Sequence, residues 1–187
     1  MIAVLAALLL QTDDVELQAR LRGGAWASGG FEFEALLPTG KREVDGETLW
    51  LVGADAGVCF DDRWLLSAGA DWSSANDLEV VAFHLSGGYR LRVGEMIHAL
   101  PPFRCEFTAG VLLGTLDVDV SDFGDFDPGL GVRAGVTALF DFGDTFAIGA
   151  WVEARWIRFK YEEDTLDGDD YAGGGGVAAG VVVEARW

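Results

Sequence analysis

From residue 15 onward the chain repeats one pattern, an apolar side chain followed by a small or charged one, over stretches separated by turn-forming residues. The final segment is the clearest instance. Val177, Ala179, Val181, Val183, Ala185 and Trp187 share one parity, and Ala178, Gly180, Val182, Glu184 and Arg186 share the other. A period of two places successive side chains on opposite faces of an extended strand. The same reading predicts eight strands, over 15–27, 49–60, 64–73, 79–93, 103–116, 130–140, 145–161 and 177–187. Short turns fall at 61–63, 73–77 and 141–144, and a connection with two prolines at 94–102. Longer polar segments fall at 28–47, 117–129 and 162–174, and part of the first is expected to extend the first hairpin.

An even number of antiparallel strands can close on itself, which leaves no edge of unpaired N–H and C=O groups. The expected fold class is therefore all-β: a closed, antiparallel, up-and-down eight-stranded barrel. Each predicted strand is about as long as a tilted membrane crossing, which takes roughly 9 to 11 residues. The apolar parity carries aromatic residues near strand ends, namely Trp50, Phe60, Trp64, Trp72, Phe103, Phe140 and Trp187, as a membrane–water boundary favours. The last strand ends on Trp187 with nothing after it to cover its apolar face, so that face is expected to meet lipid.

A soluble lipocalin-like barrel is the alternative, with the apolar parity inside and the polar parity in water, and period two alone does not separate the two. The polar parity does. It carries Gly53, Gly57, Gly69, Gly88, Gly110, Gly135 and Gly180 with isolated charges, a makeup suited to the crowded interior of a narrow barrel. The interior charges are expected to be Glu16, Asp55, Asp71, Glu106, Glu153 and Glu184 against Arg20, Arg22, Arg90, Arg92, Arg104, Arg133, Arg155 and Arg186, a nearly balanced set. A confined interior requires that balance, because a buried charge is tolerated only when paired and hydrogen-bonded. Eight strands leave room for side chains and little else, so steady ion conduction is not expected.

Composition narrows the function. The formal charge is -18 and Lys41 and Lys160 are the two lysines, so phosphate neutralisation is weak and nucleic acid is excluded as a partner. No apolar run reaches the length of a helical membrane span. Residues 1–12 begin with ten residues rich in Ala, Leu, Ile and Val and read as a signal peptide of atypical or truncated form, since no Lys or Arg precedes the run; residues 13–187 form the barrel domain. Cys59 and Cys105 fall on opposite parities and are expected to be unbridged thiols. Neither a metal site nor a cofactor is called for.

On the alternation, the strand count and the terminal Trp187, the chain resembles the eight-stranded bacterial outer-membrane barrels, the class of the OmpA transmembrane domain and OmpX, over residues 15–187. The resemblance implies an outer-membrane location, outer-membrane lipid and the barrel-assembly machinery as partners, and a monomer. It also implies that Trp187 belongs to a carboxyl-terminal assembly signal, in which Ala185 stands where a second aromatic residue is expected and Val182 where Gly is expected. Trp187 should then lie at the periplasmic boundary, with Glu184 and Arg186 joining Glu16, Gln18 and Arg20 across the closing seam.

Two features invite further chemistry. The acidic segments 117–127 and 162–170 offer oxygen ligands that could hold divalent cations, although Asp122 stands where a calcium loop needs Gly; solvated, mutually repelling loops are the plainer reading. His84 and Ser86 lie two apart on one strand face and resemble the His-x-Ser pair of outer-membrane lipid A deacylases. Parity turns both inward, away from lipid, and the sequence offers no third member to orient the histidine. His98, in a Pro-flanked turn, has less claim. The reading is thus a small, non-enzymatic outer-membrane barrel with a plugged lumen and acidic surface loops, acting in envelope structure, adhesion or interaction.

Overall fold

The computed structural model describes residues 15–33, 42–44, 48–75, 78–96, 103–118, 126–161 and 171–187. The strands are β1 (Val15–Phe33), β2 (Arg42–Val44), β3 (Thr48–Phe60), β4 (Trp64–Ala75), β5 (Leu78–Arg92), β6 (Phe103–Val118), β7 (Phe126–Phe142), β8 (Phe146–Tyr161) and β9 (Tyr171–Arg186), with one helical turn, α1 (Val93–Met96), after β5. Each long strand pairs antiparallel with its sequence neighbour, and β9 returns to pair with β1. The sheet is therefore a closed eight-stranded up-and-down barrel, as its alternation predicts. β2 is a short flap that pairs only with the far end of β1, Phe31 opposite Val44 and Phe33 opposite Arg42.

Several strands run further than their alternation indicates. β1 continues to Phe33 through Gly29 and Gly30, with a register shift between Ser28 and Phe31; β4 reaches Ala75 and β6 reaches Val118; β7 begins at Phe126, with a second shift between Asp127 and Leu130 that accommodates Pro128. β9 begins at Tyr171, so the glycine run 173–176, which reads as loop, is ladder instead. The reason is closure. Once β8 and β1 stand on either side, the glycine backbone has partners such as Arg158 and Glu32 for Gly173, whatever its side chains lack.

Both described chain ends, the turns at 61–63 and 143–145 and the β5–β6 connection that begins with α1 lie at one end of the barrel, here the terminus end; β1 and β3, β4 and β5, β6 and β7, and β8 and β9 are joined at the other, the loop end. The seam closes tightly. Leu17 N–H donates to Trp187 O at 3.0 Å, Trp187 N–H returns to Leu17 O at 3.1 Å, and Gln18 stands opposite Arg186.

The two faces are inverted relative to a water-soluble barrel. Leu21, Trp50, Val181 and Leu130 point outward and are 67%, 73%, 63% and 69% exposed, whereas Arg90, Glu106 and Glu184 point inward at 1%, 0% and 0%. Outward aromatic side chains form two belts: Trp50, Trp72 and Trp156 toward the loop end, and Trp64, Phe140, Phe142, Phe146 and Trp187 toward the terminus end. Between them the outward positions of β8, from Ile148 through Val152 to Trp156, are uncharged.

Candidate functional site: a filled interior

The inward parity brings the sequence-predicted charges together in two groups. Nearer the terminus end, Glu106 accepts hydrogen bonds from Arg20 and from Arg90 Nε, the latter at 2.9 Å. Glu184 pairs with Arg104 and lies 2.7 Å from Arg20 and 3.3 Å from Arg186. Glu16 accepts from Arg90 Nη1 at 2.7 Å, and Gln18 Oε1 accepts from both Arg90, at 2.9 Å, and Arg20, at 3.2 Å. Asp141 completes the set, 3.1 Å from Arg104 and 2.8 Å from Arg186. Four guanidinium groups (Arg20, Arg90, Arg104, Arg186) thus meet four carboxylates (Glu16, Glu106, Asp141, Glu184), all linked by these contacts.

The second group sits one layer toward the loops. Arg22 Nε lies 2.8 Å from Asp55, its Nη2 2.6 Å from Asp71, and its Nη1 3.3 Å from Glu153. Arg155 joins Asp71 at 3.0 Å and also pairs with Glu153, which Arg133 contacts in turn. His84 Nε2 lies 3.0 Å from Asp55 Oδ1. Three arginines face three carboxylates here, so in both groups the guanidinium and carboxylate side chains are equal in number. Low dielectric makes that balance necessary and makes each pair sensitive to the loss of its partner.

The inward glycines give these side chains their room. A Cβ on Gly69 would lie 2.8 Å from the His84 ring, one on Gly135 would lie 2.6 Å from Glu153 Cβ, and one on Gly53 would run into the Asp71 carboxylate. Small residues and large charged ones therefore alternate across neighbouring strands at one level of the barrel, the packing expected of a narrow filled interior.

Above the ionic groups the interior changes chemistry. Trp26, Leu49, Leu51, Val80, Leu112, Ile157 and Phe159 share the inward parity and are buried in one apolar cluster. Two tryptophans join the regions: the Arg22 guanidinium lies 5.3 Å from the Trp151 ring centroid, and Arg155 lies 5.2 Å from that of Trp26. Trp151 Nε1 also donates to Val181 O at 3.1 Å. Sequence reasoning did not foresee this layer. The signal was present, since large apolar residues occupy the polar parity chiefly toward the loop-proximal strand ends, as in Leu49 and Leu51 on β3 and Ile157 and Phe159 on β8, with Leu65 and Leu139 near the terminus end as exceptions.

Three expectations need correction or placement. Arg92 has inward parity but stands at the rim, 2.6 Å from Asp62 and partly exposed, outside both groups. Asp141 reads as a turn residue and belongs to the interior, because β7 continues through Phe142. His84 and Ser86 are both buried in the interior; His84 is engaged by Asp55 and by Arg22 Nη2 at 3.1 Å, and Ser86 Oγ has no hydrogen-bond partner among the described residues. Cys59 and Cys105 are unbridged, the first buried and the second on the outward parity. The amino-terminal segment 1–14, His98, and most of the two acidic segments, at 119–125 and 162–170, lie outside the described residues.

A closed eight-stranded antiparallel barrel with an apolar outer belt, aromatic rims and an ion-paired interior defines a transmembrane barrel of the outer-membrane type. No protein-family model matches the chain, and no curated protein matches it by sequence. Solved structures do match. The chain is similar to OprG, an outer membrane protein of Pseudomonas aeruginosa, with a TM-score of 0.57 at 9% identity over 93% of this chain and 96% of that one. It is similar to Neisserial surface protein A with a TM-score of 0.50 at 16% identity over 90% and 96%. It also matches the outer membrane enzyme PagL, with a TM-score of 0.41 at 14% identity over 88% and 97%, a likeness too distant to bear on chemistry. The shared property is the fold of the eight-stranded outer-membrane barrels.

Proposed function

We propose that this protein is a non-enzymatic barrel of the bacterial outer membrane whose interior is a solid plug and whose loops carry its interactions in envelope structure or adhesion. The observation that supports this most is the inversion of its faces: exposed Leu, Val, Trp and Phe surround the barrel while seven arginines sit buried inside it. In water that arrangement would expose far more contiguous apolar surface than a soluble monomer tolerates, which is roughly 300 to 600 Å². Lipid covers that surface at no cost, and the barrel-assembly machinery is the partner that would place it there.

A filled interior argues against a passive pore, and the placement of His84 argues against lipid hydrolysis. A nucleophile pair acting on lipid must reach the outer surface or a cleft open to it, whereas His84 and Ser86 are 5% and 4% exposed beneath the strand wall. Cations at the acidic loops are a further proposal, since oxygen-rich segments take hard divalent ions; calorimetry with Ca²⁺ should show uptake that is lost on replacing the carboxylates of 162–170.

Membrane fractionation combined with gel mobility before and after boiling tests the main reading. The chain should partition with outer membrane and migrate faster unboiled; a soluble chain with unchanged mobility would refute it. Deleting Trp187 should reduce insertion, because it removes both seam hydrogen bonds to Leu17 together with a boundary aromatic.

A further inference from the structure

We infer that the terminus-end rim carries a binding site for a zwitterionic phospholipid headgroup, a phosphodiester joined to a primary ammonium as in phosphatidylethanolamine; the inference rests on the membrane placement proposed above. A recess of about 350 Å³ opens between the turn after β3 and the last residues of β5. Its charged lining is mixed: Arg63 and Arg92 supply two guanidinium groups, and Asp61 and Asp62 supply two carboxylates. Arg90 also borders it, but its guanidinium is committed to Glu106, Glu16 and Gln18 inside the barrel.

The recess is built rather than incidental. Arg63 N–H donates to Phe60 O at 2.9 Å, and Arg63 O accepts from Arg90 N–H at 2.7 Å, which fixes the turn against β5. Asp61 and Asp62 both adopt left-handed backbone conformations, with φ of 50° and 57°. Such a turn is most easily made by Asn or Gly. Two adjacent carboxylates there add like-charge repulsion to backbone strain, and strain of this kind gathers at binding sites. Of these, only Asp62 has a described cationic partner, Arg92, in an exposed pair of a kind that is weak and readily exchanged.

Position selects the ligand. The recess adjoins the aromatic belt, where Trp64 and Tyr89 meet edge to face with ring centroids 5.2 Å apart, and Leu91 beside it faces the lipid side. A lipid with its chains along Leu91 and Trp64 brings its headgroup to this level. Phosphate would engage the arginines, for which guanidinium geometry is suited, and the ammonium would engage Asp61 and Asp62. A purely anionic headgroup would meet both carboxylates, and a simple cation both arginines; a zwitterion satisfies the neutral set.

The test is native mass spectrometry of the full chain, refolded in detergent with equimolar phosphatidylethanolamine and phosphatidylglycerol. Preferential retention of phosphatidylethanolamine is expected. The double variant Asp61→Asn, Asp62→Asn keeps residues suited to the left-handed turn and should abolish that preference. Arg63→Gln should weaken retention of both lipids about tenfold, as expected for loss of a charge-assisted contact. Equal or greater retention of phosphatidylglycerol by the unaltered chain, wild-type selectivity in the double variant, or undiminished retention by Arg63→Gln would overturn the site. Displacement of the lipid by equimolar soluble glycerophosphoethanolamine would overturn its lipid source. Gel mobility before and after boiling separates the two readings: a chain with no heat-dependent shift fails as a membrane barrel, whereas a shifted barrel without the preference fails only as this site.

Discussion

The terminus half of the interior holds Glu106 between Arg20 and Arg90, and Glu184 among Arg20, Arg104 and Arg186, while the loop half holds Trp26, Leu49, Leu51, Ile157 and Phe159 against one another. Both halves are buried and closely packed, yet they respond to different properties of a side chain. The ionic half depends on charge and on directed hydrogen bonds, because every guanidinium there has left water and needs an acceptor. The apolar half depends on volume and shape, because dispersion and burial act without direction. One barrel wall thus encloses two kinds of core, joined where Arg22 and Arg155 lie over Trp151 and Trp26.

Substitutions that change one property at a time should separate the halves, with equilibrium urea unfolding of the barrel in lipid vesicles as the common measurement. The largest effect is expected from Glu106→Gln, which keeps volume but strips the shared counter-charge from Arg20 and Arg90; removing one partner of a buried pair costs about 3–5 kcal/mol. If the loss were no greater than that of a surface substitution, the ionic half would be solvated rather than dry. Leu51→Ala, which removes volume and no charge from a residue 1% exposed, should cost about 2–5 kcal/mol. A negligible cost there would mean that the loop half is loosely packed and can collapse. Ile157→Val removes one methyl group from the same layer and should cost about 0.5–1.5 kcal/mol.

The smallest effect is expected from Arg92→Gln at the rim, where an exposed pair with Asp62 contributes at most about 1 kcal/mol. Raising the salt concentration should erase that difference while leaving the penalty of Glu106→Gln in place, since buried pairs are screened far less than exposed ones. Equal salt sensitivity of the two variants would break the distinction between rim and interior.

Strand identity and facing were legible because alternation is local: each residue's parity follows from its neighbours, so Arg20, Arg22, Asp55, Asp71, Glu106, Arg133, Glu153, Arg155 and Glu184 could be assigned inward without knowing their partners. The ends of strands were less legible. Gly29, Gly30 and the run 173–176 carry no side chains to mark a face; the neighbouring strands of a closed sheet turn the run 173–176 into ladder, while Gly29 and Gly30 fall in the register shift between Ser28 and Phe31. Arg92 and Asp141 exchanged expected places for a related reason, since whether a residue near a turn lies inside or at the rim depends on where the last ladder pair falls.

The sequence by itself determined an eight-stranded alternating chain, one face apolar and the other carrying small residues and a nearly balanced set of charges. The tertiary structure decided height and partnership. Arg20 meets Glu106 and Glu184 from strands 86 and 164 residues away, and most of the large apolar residues of the inward parity, Trp26, Leu49, Leu51, Ile157 and Phe159 among them, gather above them. Parity says which side of the wall a residue faces, but its level inside a tilted barrel is set by the register that closure of β9 onto β1 imposes on every strand.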